Sequence, residues 1–207
     1  ILYSYYGKSG LNLRLVEMAI VEFNPKSFRN RNPNFLFADQ NLYLPSLNEM
    51  KNLVLDLRGN PGGYLLPAKQ IADDFLSVNK PIVIVEAKNG KRQKTISSAN
   101  GIFEKGNLFI LVDEDSASAS EVIAGAIQDN DRGLIIGRRT FGKGLVQQQM
   151  PLGFGDQIRL TTARYYTPTG RSIQRPYDSS SRKDYYAEIH NRYITGEMQN
   201  PKNIPLN

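Results

Sequence analysis

From Asn52 onward the hydrophobic pattern of the chain becomes regular. The apolar run "NLVLDL" reads as a buried strand, and the "RGNPGG" after it is turn chemistry, with Pro61 fixing φ and the glycines free to take positive φ. A helix follows in "YLLPAKQIADDFL", where Leu65, Ala68, Ile71, Ala72 and Phe75 recur on one face. "PIVIVEAKNGKRQKTISS" predicts two strands around an Asn-Gly turn at Asn89-Gly90, and "NLFILV" predicts another buried strand. Val122, Ile123, Ala126 and Ile127 then carry a second helical stripe over Ala119 to Asp129, and "GLIIG" at Gly133 to Gly137 reads as a further strand. Two strand–turn–helix units with hydrophobic strands predict an α/β fold with a parallel core. "LVQQQMPL" and "QIRLTTARYYT" predict strands of an antiparallel extension, closed by "TPTG" at Thr167 to Gly170. By contrast, Asn24 to Ser46 is rich in Asn and Pro without a sustained period, and "DSSSRKD" at Asp178 reads as a flexible loop.

Composition narrows the function classes. A chain of 207 residues with 40% hydrophobic and 22% charged residues has the balance of a globular domain. Its longest apolar runs are strand-sized, so no transmembrane segment is expected. The formal charge of +6 comes from scattered basic residues interrupted by acidic ones, which argues for solubility and against a nucleic-acid surface. The absence of cysteine excludes disulfides and thiolate metal sites, and a single histidine argues against a histidine-based zinc site. No metal or cofactor is expected. The chain starts at Ile1 with no signal-like segment and reads as a piece of something longer.

Candidate chemistry sits in "DEDSASASEVIAG", Asp113 to Gly125, where Ser116, Ser118 and Ser120 alternate at the mouth of the second helix. Ser118 with Glu121 fits a capping box, which would make the serine structural. The same position, at a helix N-terminus beyond the carboxyl end of a parallel strand, also suits a nucleophile whose oxyanion is stabilised by free N–H groups. Such a serine needs a base. His190 lies in a polar, Tyr-rich stretch and reads as a surface residue. Lysine serves instead where burial lowers its pKa from about 10.4 toward neutrality. Lys143 in "RTFGKGLVQ" is the best candidate, flanked by Phe141, Leu145 and two glycines. "GRRTFGKG" also matches a phosphate-binding loop, but Gly144 stands where Ser or Thr would bind magnesium, and a strand follows where a helix is needed.

Three motifs in order, "LVLDLRGNPGG", "LVDEDSASASEVIAGAIQDNDRGLIIGRRTFGKGLVQ" and "LTTARYYTPTGRSIQ", resemble the carboxyl-terminal processing peptidases, or tail-specific proteases, over about Asn52 to Gln174. The resemblance implies a crotonase/ClpP-like α/β core and a Ser-Lys dyad, with Ser118 as nucleophile and Lys143 as general base. It implies that Gln147 holds the lysine, and that backbone N–H groups of Ala119 and of Gly62 or Gly63 form the oxyanion hole. Asp129 matches a position that matters in some members. Eleven residues along a helix place it on the face of Ser118 but about 16 Å away, so support of the helix or of the lysine loop is expected. Glu121 is expected to cap the helix without conflict with catalysis.

The implied organisation is an irregular N-terminal segment (1–51), a peptidase core (52–177) and a polar C-terminal extension (178–207). Members usually carry a PDZ domain ahead of the core. About fifty residues precede the first core strand here, without the carboxylate-binding loop such a domain uses, so the PDZ domain is expected to be absent from this chain, cut out of it, or replaced. The implied partners are protein or peptide substrates engaged near their C-termini, and the implied location is the bacterial cell envelope. The competing reading is a non-catalytic module that binds apolar ligands or peptides on the same fold.

Overall fold

The computed structural model describes residues 20–21, 24–27, 29–31, 42, 44, 51–176 and 182–203. The chain divides into two compact units, Ile1–Lys51 and Asn52–Asn207. In the first, Ile20 and Val21 are helical and buried, and Asn24 closes that helix by donating its side-chain N–H to Ile20 O at 2.8 Å. A single 3-10 turn covers Arg29–Arg31. The other residues of the Asn- and Pro-rich stretch lie outside the described residues.

The second unit contains two sheets. Strands β1 (Asn52–Asp56), β4 (Asn107–Val112) and β5 (Leu134–Gly137) form a parallel sheet in the order β1-β4-β5. Strands β2 (Pro81–Ala87), β3 (Arg92–Ile96), β6 (Leu145–Gly153) and β7 (Asp156–Tyr166) form an antiparallel sheet in the order β3-β2-β7-β6. The two expected hairpins are thus one sheet, joined where β2 pairs with β7 from Ile84 opposite Tyr166 to Ala87 opposite Ala163. Gly90, at φ 77°, supplies the left-handed residue of the first hairpin's connection.

Helix α1 (Leu65–Phe75) buries Ala68, Ala72 and Phe75, as its stripe predicts. Ile71 on that stripe is more open, because the face of this helix is narrower than the pattern suggests. Helix α2 (Ala119–Asp129) is buried from Ala119 to Ile127 on all sides. It packs against α1, β2 and β5 and forms the centre of the core. The "TPTG" turn also closes on it: a Cβ at Gly125 would lie 2.9 Å from Thr167 Cγ2, so the helix presents glycine there.

A third helix, α3 (Arg182–Ile194), begins inside the stretch that reads as a flexible loop, at Arg182 to Asp184; the preceding residues of that stretch lie outside the described residues. Its anchoring groups are charged, so no apolar period announced it.

Candidate active site

The carboxyl ends of β1 and β4 carry the two loops that build the site, and buried hydrogen bonds lock them together. Ser116 is fully buried and donates its hydroxyl to Leu57 O at 2.7 Å. Ser120, 2% exposed, donates to Asn60 O at 3.1 Å, and Ala117 N–H donates to the same carbonyl at 3.0 Å. Asp113 accepts from Gly59 N–H with both carboxylate oxygens, at 2.9 and 3.0 Å. Burial pushes the Asp113 carboxyl up, but hydrogen bonds from Gly59, Asp115 and Ser116 outweigh it and hold it below the usual carboxylate range. The alternation of serines therefore has a cause. The outer two fasten the turn to the first loop, and Ser118 between them is the half-buried one.

Ser118 has φ 56° and ψ −112°, a conformation that costs a residue with a Cβ on the order of 1–3 kcal/mol and that clusters at functional sites. Gly62 explains how close the loops come. At φ 90°, a Cβ on it would meet Ala117 O at 2.5 Å, Ala119 N at 2.7 Å and Ser118 Cβ at 3.0 Å. Its N–H is occupied by Asn60 Oδ1 at 2.9 Å, whereas Gly63 has open space around its Cα. Ala119 is the first residue of α2, where helical amides have no partner in the preceding turn.

Ser118 and Glu121 form the capping-box arrangement, and its carboxylate half is short: Ser118 N–H donates to Glu121 Oε2 at 2.7 Å. Glu121, 5% exposed, does more than cap. Its Oε1 accepts from the Thr140 hydroxyl at 2.7 Å and Gly142 N–H at 2.6 Å, and its Oε2 also accepts from Lys143 N–H at 2.8 Å. One carboxylate thus ties the first turn of α2 to the loop that carries Lys143. The glycines beside Lys143 are required by the same packing. Gly142 has φ 85° and lies 2.9 Å from Arg175 Cβ by its virtual Cβ, and Gly144 has the Gln174 backbone at 2.3 Å.

Lys143 is half-buried and Gln147 exposed, and both line a cavity of about 1030 Å³ with Phe141, Leu145, Thr161 and Arg175. Ser118 is not among its lining residues, so the structure brings Ser118 and Lys143 together through their backbones. Asp129 lies at the far end of α2 and holds the "TPTG" turn, not the lysine loop: it accepts from Thr169 N–H at 3.0 Å and the Thr169 hydroxyl at 2.6 Å, and pairs with Arg171. Burial raises the Asp129 carboxyl, but the hydroxyls of Thr167 and Thr169, the Thr169 amide and Arg171 outweigh it and hold it below the usual range. His190 is exposed. Among the described residues, no group of His, Cys, Asp or Glu side chains is arranged to hold a metal ion, and no helix is long and apolar enough to cross a membrane.

Sequence reasoning underrated Glu121 and missed Asp113. A glutamate inside an otherwise apolar helix was the signal for the first, because a buried carboxylate requires several donors.

A family model described as peptidase family S41 matches residues 27–178. The carboxy-terminal-processing protease of Bartonella bacilliformis is 38% identical over 157 residues, covering 76% of this chain and 36% of that protein. The carboxy-terminal processing protease CtpB of Bacillus subtilis is 35% identical over 144 residues, covering 67% of this chain and 30% of that protein. The chain thus spans about a third of the length of these relatives. Among solved structures, a photosystem II D1 C-terminal processing protease superposes with a TM-score of 0.55 at 41% identity, covering 60% of this chain and 32% of the other. A putative S41 protease from Bacteroides fragilis shares the fold at 14% identity, with a TM-score of 0.51 over 71% of this chain and 45% of the other.

Proposed function

Because the chain belongs to peptidase family S41, we propose that it carries the catalytic core of a serine endopeptidase that processes protein substrates near their carboxyl termini, with Ser118 as nucleophile and Lys143 as general base. The observation that supports this reading most is the shared attachment of the two residues: both backbone amides are held by Glu121 Oε2, and the serine itself sits in a strained conformation at φ 56° and ψ −112°.

Neutral Lys143 Nζ takes the Ser118 Oγ proton as Oγ attacks the scissile carbonyl carbon. Lys143 and Gln147 line one cavity; in this reading the flexible four-carbon stem of the lysine extends to the serine, and Gln147 steadies it. The tetrahedral oxyanion rests on Ala119 N–H and on the glycine turn, where Asn60 occupies the Gly62 amide and leaves that of Gly63 as the donor without a partner among the described residues. Collapse breaks the C–N bond, and the Lys143 ammonium returns its proton to the leaving amine. Water, deprotonated by the same lysine, then hydrolyses the acyl-enzyme. The proposed substrates are protein tails, and the proposed setting is the bacterial cell envelope, where such a peptidase meets exported proteins.

The pH dependence of kcat/KM tests the reading. A lysine base gives a single limb that rises with pH, and Lys143→Arg removes turnover at every accessible pH, because guanidinium does not release its proton. Wild-type turnover in Lys143→Arg would sink the dyad.

A further inference from the structure

We propose that Arg192, on α3, is a positioning residue for Lys143. The proposal rests on the reading of Lys143 as the proton acceptor. The family match ends at residue 178, so α3 lies outside it.

The argument starts from the backbone of the lysine loop. Between the end of β5 at Gly137 and the start of β6 at Leu145 the chain has no ladder to pair with, so its polar groups need other partners. Its N–H groups point into the core: Arg138 N–H donates to Val112 O, Phe141 N–H to Ser116 O, Gly142 and Lys143 N–H to Glu121, and Gly144 N–H to Gln174 Oε1. Its carbonyls are met from the other side. Arg192, with 3% of its side chain exposed, donates one terminal nitrogen to Arg139 O at 3.1 Å and Thr140 O at 2.8 Å. Gly142 O accepts from Arg175 N–H at 3.0 Å. The loop is therefore held between Glu121 on α2 and Arg192 on α3, and Thr140 touches both, its hydroxyl on Glu121 and its carbonyl on Arg192.

A charged hub keeps Arg192 in place. Glu188 accepts from Arg192 Nε at 2.9 Å, Arg139 at 3.1 Å and Arg175 at 2.5 Å. Arg139 adds a two-pronged pair with Glu197, at 2.8 and 2.7 Å. The Arg175 guanidinium lies 4.6 Å from the Phe141 ring and 3.9 Å from that of Tyr185, so the residue two before Lys143 is packed against the same assembly. Among the described residues, two of the Arg175 nitrogens are buried without a hydrogen-bond partner, and Glu188 is its one ionic contact. So costly an arrangement of buried arginines is poorly explained by stability alone, since well-packed apolar side chains often serve as well. It is explained by the need to fix a loop in one conformation.

The test measures the rate at which a fluorophosphonate probe labels Ser118 in the full chain, together with the thermal midpoint. Arg192→Met is expected to slow labelling by roughly 10- to 100-fold, the scale of a displacement of about 1 Å at a reacting centre. Arg192→Lys, which keeps the charge but loses the planar fork, recovers part of the rate. Arg132→Met is the structural control. Arg132 caps the carbonyls of Phe75, Phe103 and Gly106, away from the lysine loop, so its loss lowers the midpoint and leaves the labelling rate alone. In a Lys143→Ala background, Arg192→Met should have no further effect. A wild-type rate in folded Arg192→Met or Arg192→Lys, an equal loss in Arg132→Met, or an undiminished effect in the Lys143→Ala background each overturns the proposal. If Lys143→Ala itself labels at the wild-type rate, the Ser-Lys reading fails and this proposal falls with it; slow labelling of Lys143→Ala beside an unaffected Arg192→Met removes this proposal alone.

Discussion

Ser118 and Lys143 donate their backbone N–H groups to the same carboxylate oxygen, at 2.7 and 2.8 Å. Since Glu121 also takes the Thr140 hydroxyl and Gly142 N–H, four donors converge on one buried side chain. Glu121→Gln keeps the shape but turns an NH2 toward two of those donors. The expected cost is about 2–4 kcal/mol of stability, from lost charge-assisted hydrogen bonds and unsatisfied amides. Chemical denaturation measures it. Turnover should fall by about 100-fold or more even where the variant is folded, because both candidate residues lose their common support.

The strain at Ser118 gives a second expectation. Ser118→Ala and Ser118→Gly should both be inactive in peptide cleavage, but they should differ in stability. Glycine takes φ 56° and ψ −112° without a Cβ penalty, so Ser118→Gly should unfold at a higher temperature than Ser118→Ala, by an equivalent of about 1 kcal/mol. Ser118→Ala itself should fall below the wild type by no more than about 1 kcal/mol, the cost of replacing a serine at a helix N-cap. A higher midpoint for the alanine variant would show that the turn is unstrained.

Gly62 and Gly63 form a matched pair for the loop contact. Gly62→Ala places a Cβ within 2.5 Å of Ala117 O and 2.7 Å of Ala119 N, backbone atoms that cannot yield cheaply, at a φ that alanine resists. A loss of roughly 2 kcal/mol or more and failure of probe labelling at Ser118 are expected. Gly63→Ala meets nothing within 4 Å, and its thermal midpoint should stay near that of the wild type.

Acid stability reports on Asp129. Its folded pKa is depressed, so its contribution is full above the ordinary carboxylate range and is lost as pH falls through the lowered value. Wild-type stability should therefore decline on acidification in a way that Asp129→Asn does not share, and the two curves should converge at low pH. The convergence is read from urea midpoints measured between about pH 2 and 6.

The sequence carried the parts of the fold that rest on periodicity and turn chemistry. β1, β4 and α2 were legible because their apolar positions have one structural meaning, and Gly62 and Gly144 because turns and close approaches need glycine. The joining of β2 to β7 was not, since pairing between distant strands leaves no local pattern. α3 was not legible either. Its holding groups, Glu188 and Arg192, are charged residues, which in a sequence look like a solvated surface. Ser118 and Lys143 stood out by motif, whereas the carboxylate that joins them was visible only as half of a capping box, a local device that concealed a contact across twenty residues.

Helix α2 is fastened by a carboxylate at each end, Glu121 to the lysine loop and Asp129 to the "TPTG" turn, with an unbroken apolar middle between them. It therefore behaves as a strut. A change of girth in that middle, such as one extra methylene at Ala126, which is fully buried, has no polar contact to break and no solvent to expand into. It can be relieved only by shifting the strut along its length, and both fastenings move with it. On the proposed reading, peptide cleavage should consequently be sensitive to the volume of residues that touch neither the serine nor the lysine.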